Sequence, residues 1–571
     1  MTGASPTGSP AEPERSRSMR SSALAGTLVI AAVALVVTIL VVAVSGGLLG
    51  GGSPPVPRFV DAAASAGLVH RYGSDPEHKV GGGVATFDCD DDGRPEIYLA
   101  GGTGPAALFH NDSPVGGPLR FTPRSSSETD LDDVTGAYPL DIDGDGLTDL
   151  AVLRAGENLL LRGLGDCRFE RGNERWGFDG GDARTMAFAA TWEGDAALPT
   201  LAIGDYIALT AIGTPIPPCP DNELVRPDAS GTAYGEPIPL GPGYCPLSML
   251  FSDWDRVGRR DLRISNDRQY YVDGLEQLWQ VPPAAAAPSG YTEQEGWRTL
   301  KIWGMGIASH DLTGDGRPEV YLTSQGDNKL QTLVDPGAAD VPTYEDMALE
   351  LGVNVAQPAV GGDELPSTAW HPAFEDVNDD GLMDLFVTKG NVSEQEGYAT
   401  RDPSELLLGT HDGTFERVAD AAGIVRYERG RGAAVVDLDL DGLLDIVQVD
   451  LDAPVELWHN IGAGEGTTPA PMGDWVGLRF QQPGPNRDAI GSWVEIRAGD
   501  TTIQRELTVG GGHISGHLGW LHAGVGDAER VEVRVTWPDG EVGPWQDVTP
   551  GGFAIIDRGA SAAQPWTPGG D

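Results

Sequence analysis

The sequence predicts an all-β chain: a seven-bladed β-propeller, with a small β-domain behind it and one apolar helix in front. Three observations carry that expectation. An acidic nonapeptide, D-x-D-x-D-G-x-x-[DE], recurs at starts close to 60 residues apart, each copy flanked by short apolar runs. The 571 residues include 80 Gly and 43 Pro but only 7% aromatic side chains, a composition of short strands and turns rather than long helices. A glycine-punctuated, strand-rich segment follows the last copy.

Residues 1–22 are rich in Ser, Pro, Gly and Arg and read as a disordered cytoplasmic tail. Residues 24–44, LAGTLVIAAVALVVTILVVAV, form an uncharged run of 21, of which 13 are Leu, Ile or Val. That is long enough to cross a bilayer as a helix. Arg15, Arg17 and Arg20 precede the run and no Lys or Arg follows until Arg58. The positive-inside rule then expects a signal-anchor over 23–45, single-pass in the cell membrane, with the N-terminus cytoplasmic and the bulk of the chain extracytoplasmic. Cleavage near Ala43-Val44-Ser45, which would release a secreted chain, is the alternative. Residues 46–57, GGLLGGGSPPVP, read as a Gly/Pro linker.

The propeller is expected over 58–470. The nonapeptides start at Asp88, Asp141, Asp253, Asp311, Asp376 and Asp437, and apolar runs such as IYLAGG, LAVLRA and LFVTKG follow them, so each reads as strand, acidic turn, strand. Two further elements recur downstream: LFHN or LWHN, ending at Asn111 and Asn460, and an aromatic unit F-x-D-x-A-x-x-x-G-[LIV], at Phe59, Tyr344 and Phe415. Together these supply about four strands, one propeller blade. One gap between starts is 112 residues where the others are 53, 58, 65 and 61, so a blade is missing from the pattern. ATWEGDAALPTLAIGD, from Ala190, aligns with the segment from Ala85, placing Glu193 and Asp195 on Asp88 and Asp90, and restores seven units. The last unit lacks its own aromatic element while one stands unclaimed at Phe59, so the N-terminal strand is expected to close the ring.

The acidic loops carry the chemistry. Calcium takes six to eight oxygens, and acids at positions 1, 3, 5 and 9 of a tight loop can converge on it, with Gly at position 6 permitting the turn. Position 12 is Leu99, Val152, Leu322, Val387 or Gln448 where an EF-hand needs Glu, so these are β-turn sites. The expected metal ligands are Asp88, Asp90, Asp92 and Glu96; Asp141, Asp143, Asp145 and Asp149; Asp311, Thr313, Asp315 and Glu319; Asp376, Asn378, Asp380 and Asp384; and Asp437, Asp439, Asp441 and Asp445. Val257 at position 5 of the loop at 253, and the eroded copy at Glu193, argue against an ion there.

On these repeats the chain resembles the FG-GAP/VCBS repeat proteins, among them the integrin α-subunit propellers. The resemblance implies a propeller with about five structural Ca²⁺ sites on those residues. After Gly473, Asn486, Ala489-Ile490-Gly491, Gly510-Gly511-Gly512, Leu521-His522, Gly524, Gly526 and Trp537-Pro538-Asp539-Gly540 fall in the order of an ASPIC/UnbV domain, expected over 474–558 with a disordered tail at 559–571. That family implies an accessory β-domain rather than a known activity.

Lys plus Arg number 38 against 85 Asp plus Glu, a net charge of −47, which excludes nucleic acid as a partner on field grounds. Four cysteines allow three pairings; Cys219 and Cys245 bracket an insertion and are expected to pair, which leaves Cys89 with Cys167. His513, Ser515, His517 and His522 lack a carboxylate at triad spacing, and His310 and His371 stand just before acidic loops, so no catalytic residue is assigned. The expectation is a non-enzymatic, calcium-binding adhesion scaffold for extracellular protein or glycan partners. A calcium-dependent lyase or hydrolase acting on carbohydrate is the alternative.

Overall fold

Every acidic nonapeptide is the turn of a β-hairpin in the computed structural model, which describes residues 53–569 apart from 76–77, 212–216, 269–271, 284–285, 335–340 and 363. Val84–Phe87 pairs with Glu96–Leu99 across the first, and Gly430–Val436 with Asp445–Asp450 across the last. The ninth residue of each motif opens the second strand of its hairpin. The glycine at position 6 has φ between 81 and 92° in all six loops, a conformation that a side chain makes costly.

Seven antiparallel four-stranded sheets follow one another from residue 59 to 460 in a propeller-like series. The eroded copy makes the third sheet, in which Ala183–Thr191 pairs with Thr200–Ala208. Phe59–Asp61 is the outer strand of the last sheet, Phe59 standing opposite Asn460. First strands pack against the first strands of neighbouring sheets, and Val84–Phe87 meets Gly430–Val436, so beginning and end of the series adjoin. Each inner sheet is covered on both faces, which is why its strands read as continuous apolar runs: every residue of Val134–Leu140 and Glu319–Ser324 is buried. A fully buried Leu or Val such as Leu150 or Val152 contributes about 1.5–3 kcal/mol.

The aromatic unit is an outer strand, one helical turn and a left-handed glycine cap: Phe59–Asp61 with Ala63–Ala66 and Gly67, and Phe415–Arg417 with Ala419–Ala422 and Gly423. A further copy, Phe169–Arg171 with Asn173–Trp176 and Gly177, escaped the pattern because Asn173 and Phe178 replace its Ala and its closing Leu, Ile or Val. Both expected disulfides are formed, Cys89–Cys167 between the first two sheets and Cys219–Cys245 from the third sheet to the start of the fourth.

The C-terminal residues build two further four-stranded sheets. One contains Leu521–Gly526, Asp474–Gln481, Gly552–Asp557 and Gln564–Trp566; the other contains Thr501–Glu506, Trp493–Ala498, Val531–Thr536 and Gln546–Val548. Val476, Leu478, Val494, Val533 and Ile556 fill the space between them. The tail expected from 559 is instead partly strand, and Trp566 packs at a tilt against Trp520 and edge-on to Phe553.

One segment leaves this domain and enters the propeller-like ring. Val509, Gly512 and Ser515 bridge to Ala190, Ile307 and Ala137, on inner strands of three different sheets, and Gly516–Leu518 lies parallel to Val84–Phe87 as a fifth strand. Glycine is required where it passes: a Cβ on Gly83 or Gly136 would stand 1.9 or 2.1 Å from the Ile514 carbonyl oxygen. His513 is fully buried in this hub, its Nε2 donating to the Val80 carbonyl at 2.8 Å while its backbone N–H donates to His371 Nδ1. Burial pushes the His513 imidazole down to about 3, so it is neutral.

The membrane anchor is a correction. Among the described residues no helix is long and apolar enough to cross a membrane, and the run at 24–44 lies outside them. The single-pass cell-membrane placement, with its cytoplasmic N-terminus and extracytoplasmic bulk, is therefore withdrawn.

Candidate metal loops and the interdomain cavity

Within each loop the acids divide their work. The acid at position 1 accepts the N–H of the position-6 glycine: Asp88 from Gly93, Asp141 from Gly146, Asp311 from Gly316, Asp376 from Gly381 and Asp437 from Gly442. The acid at position 9 reaches back to the N–H of position 2, as Glu96 does to Cys89, Asp149 to Ile142, Glu319 to Leu312, Asp384 to Val377 and Asp445 to Leu438. Position 5 spends one oxygen on the N–H two residues on, from Asp92, Asp145, Asp315, Asp380 and Asp441. Position 3 makes no such backbone bond as an acceptor in the three loops where it is Asp, namely at Asp90, Asp143 and Asp439.

What faces position 3 comes from the third strand of the sheet, at the fourth of five residues. His110 Nε2 lies 2.9 Å from Asp90; Arg162 donates to Asp143 at 3.1 Å and also to Asp145; His459 Nε2 lies 3.6 Å from Asp439. Thr332 at the same place bonds Glu319, and Leu408 has no polar group to offer. The two histidines stand in the LFHN and LWHN runs, where a repeated His beside each Asn was the signal that sequence reasoning passed over.

Ligand atoms gather in three loops. Asp88, Asp90 and Asp92 come together, as do Asp90, Glu96 and His110; Asp141, Asp143 and Asp149; and Asp439, Asp441 and His459. The loops at 311 and 376 form no such group of His, Cys, Asp and Glu among the described residues, since Thr313 bonds Glu319 and Asn378 donates to Asp380. Asp88 Oδ1, Asp90 Oδ1, Asp143 Oδ1 and both oxygens of Asp439 are buried without a hydrogen-bond partner, which fits a cation. Burial, reinforced by neighbouring acids, pushes Glu96 up to about 9, Asp149 to about 8 and Asp441 to about 7. A divalent ion among these oxygens would hold them ionised. The two copies set aside carry organic partners instead: Arg226 pairs with Glu193 at 2.7 Å, and Asp261 is held by Arg259, Trp254 and Tyr291.

The C-terminal domain sits on these loops. A Cβ on Gly442 would strike Trp475, one on Gly93 would strike Trp566, and one on Gly146 would strike Arg487. Arg479 bonds Asp88 at 2.9 Å and lies over the Trp520 ring, Arg505 grips Glu375 through two contacts of 2.7 Å, and His522 bonds Asp379 at 2.8 Å. Between the domain and the ring lies a cavity of about 560 Å³ whose walls include Asp88, His310, His371, Glu375, Arg479 and Arg505. The Ser515 hydroxyl donates to the His513 carbonyl and accepts from the Val84 N–H, and His517 pairs with Thr86, so the hub glycine segment is wired to backbone and hydroxyl groups.

This geometry defines a propeller-like repeat protein with a capping β-domain. Residues 88–152 and 376–448 match the FG-GAP-like repeat, and 482–563 match the ASPIC and UnbV domain. The chain therefore carries FG-GAP-like repeats followed by an ASPIC/UnbV domain. Among curated proteins it is similar to cartilage acidic protein 1 of Mus musculus, 28% identical over 198 residues, 33% of this chain and 27% of that protein. The Homo sapiens protein of the same name is 27% identical over 33% of this chain and 26% of its own length. The match thus spans about a quarter of each relative. Solved structures similar to the chain include an Agrocybe aegerita lectin that recognises non-reducing terminal N-acetylglucosamine (16% identity, TM-score 0.36, 68% of this chain and 97% of that one). Saccharomyces cerevisiae Sqt1 is another (12% identity, TM-score 0.36, 72% and 99%).

Proposed function

We propose that the protein is a non-enzymatic binding scaffold: a closed, seven-bladed propeller whose acidic loops hold structural divalent cations, calcium in the first place, and which presents its free face to a protein or glycan partner. The carrying observation is that buried acid oxygens converge without partners on the face that the C-terminal domain covers. In a four-stranded antiparallel meander the turns between second and third strands and the sheet-to-sheet crossings emerge on the opposite face. Those crossings carry the exposed apolar side chains Val69, Leu365 and Tyr427, which suits a contact surface. The histidines and Ser515 of the hub are committed to backbone and hydroxyl partners, which supports binding over catalysis.

The test is thermal melting of the full chain in EDTA and in excess Ca²⁺, beside a turnover assay on a polysaccharide panel. A lower midpoint in EDTA, restored by Ca²⁺, with no turnover is the expected result. An unchanged midpoint defeats the structural-ion reading, and turnover defeats the non-enzymatic one. Pull-down with the wild type and with Tyr427→Ser then tests the free face.

A further inference from the structure

The loop at 437 differs from its sisters in what overhangs it. In the loop at 141, the Arg162 guanidinium already neutralises Asp143 and Asp145. In the loop at 88, His110 is engaged on both ring nitrogens, by Asp90 at 2.9 Å and Asp112 at 3.0 Å. At 437 neither form of compensation is present. The Asp439 side chain is 0% exposed, and neither of its oxygens has a hydrogen-bond partner. The His459 side chain is 6% exposed, and its Nε2, aimed at the same point, also lacks a hydrogen-bond partner. A buried carboxylate left like this is costly unless a positive charge joins it.

A protonated imidazole bonded to Asp439 is one way to supply that charge, and the molecule contains the comparison. Where a histidine bonds an aspartate directly, as His110 does Asp90 and His522 does Asp379, the atoms are 2.9 and 2.8 Å apart. His459 Nε2 and Asp439 Oδ2 are 3.6 Å apart, too far for a hydrogen bond and suited to two ligands of one ion. Asp441 supplies a third ligand atom, all three within 4.8 Å of one another. Asp437 and Asp445 stand outside this group, with oxygens that accept the N–H groups of Asp441 and Gly442, and of Leu438 and Asn460.

We propose that Asp439, Asp441 and His459 bind a first-row transition-metal dication. Calcium and magnesium take oxygen ligands, whereas imidazole nitrogen suits zinc and its neighbours. The proposal rests on the reading that the acidic loops hold divalent cations, and changes the ion at one of them. The third-strand residue would then tune the ion of each loop: His459 recruits a transition metal, while Arg162 offsets part of the acid charge and leaves Asp143 Oδ1 for an oxygen-preferring ion.

The experiment is titration of the metal-stripped full chain with Co²⁺, followed by its visible ligand-field absorption. The expected result is a band that disappears in His459→Leu, persists in His110→Leu and resists equimolar Ca²⁺. Leu is the residue that the loop at 376 carries at this place, as Leu408. Asp439→Asn, nearly isosteric, keeps the test open should His459→Leu fail to fold, and should weaken Co²⁺ by more than the 10- to 100-fold, roughly, typical of an outer-shell change. A band that survives both variants, or that equimolar Ca²⁺ removes, overturns the proposal. Calcium-dependent melting with no Co²⁺ band overturns it too, while leaving the scaffold reading standing.

Discussion

Asp445 and Asp439 belong to one loop and do opposite work. Asp445 holds two backbone N–H groups, so Asp445→Ala leaves both unpaired and should cost about 2–6 kcal/mol in denaturant melts, with or without added cation. Asp439 holds none, so Asp439→Asn should raise the cation-free midpoint and abolish the gain that cations give at this loop. Equal behaviour of the two variants would contradict this division. His513 gives a prediction in pH. Its pKa is depressed to about 3 in the fold against an ordinary 6.5, chiefly by burial, so the unfolded chain binds the proton more readily. Its contribution is whole above pH 6.5 and is lost as pH falls toward 3, at up to about 1.4 kcal/mol per unit. The stability difference between wild type and His513→Gln should therefore narrow from pH 7 to pH 4; a constant difference refutes the assignment.

At the scale of elements, the hub segment and the outer strand decide whether the ring is filled and closed. Gly136→Ala drives a methyl group against the backbone of Ile514, which cannot move aside as a side chain could, so a loss above about 4 kcal/mol is expected. Gly413→Ala, at φ 81° with open space around it, should cost only about 1 kcal/mol. Guanidinium unfolding of both separates hub packing from backbone strain. Much at this scale was legible in the sequence. The fixed spacing from aromatic to Gly marked the outer strand and its cap, and the orphan copy at Phe59 pointed to the pairing with Glu456–Asn460. The copy at Phe169 was missed because Asn173 and Phe178 depart from the pattern, although Trp176 is buried beside the same left-handed glycine cap, Gly177.

At the scale of the molecule, ion loops and domain docking are one structure. Trp475 and Trp520 lie against Gly442 and Gly93, so movement of the loops changes the surroundings of both indoles. Chelation is expected to shift the tryptophan emission to longer wavelength before global unfolding, and an emission unchanged until the melting midpoint would disconnect loops from docking. The division of the site followed from scale. Acid spacing announced each loop, because a turn that must hold its own backbone needs carboxylates at fixed offsets. Which acid is left for an ion did not follow, because His110, Arg162, Leu408 and His459 arrive from another strand.

The sequence by itself announced the repeat and the outer-strand pairing, since each rests on a local pattern that recurs along the chain. It left three cysteine pairings open, of which the structure forms Cys89–Cys167 and Cys219–Cys245. Only the tertiary structure decided what covers the acidic nonapeptides and what fills the ring. Those contacts join residues hundreds of positions apart, such as Ala190 with Val509 and Asp88 with Arg479, and no local period records them. Burial of apolar groups such as Leu440, Trp475, Trp520 and Phe553 favours that contact, while pairs such as Arg479 with Asp88 and Arg505 with Glu375 offset the cost of taking charge out of water.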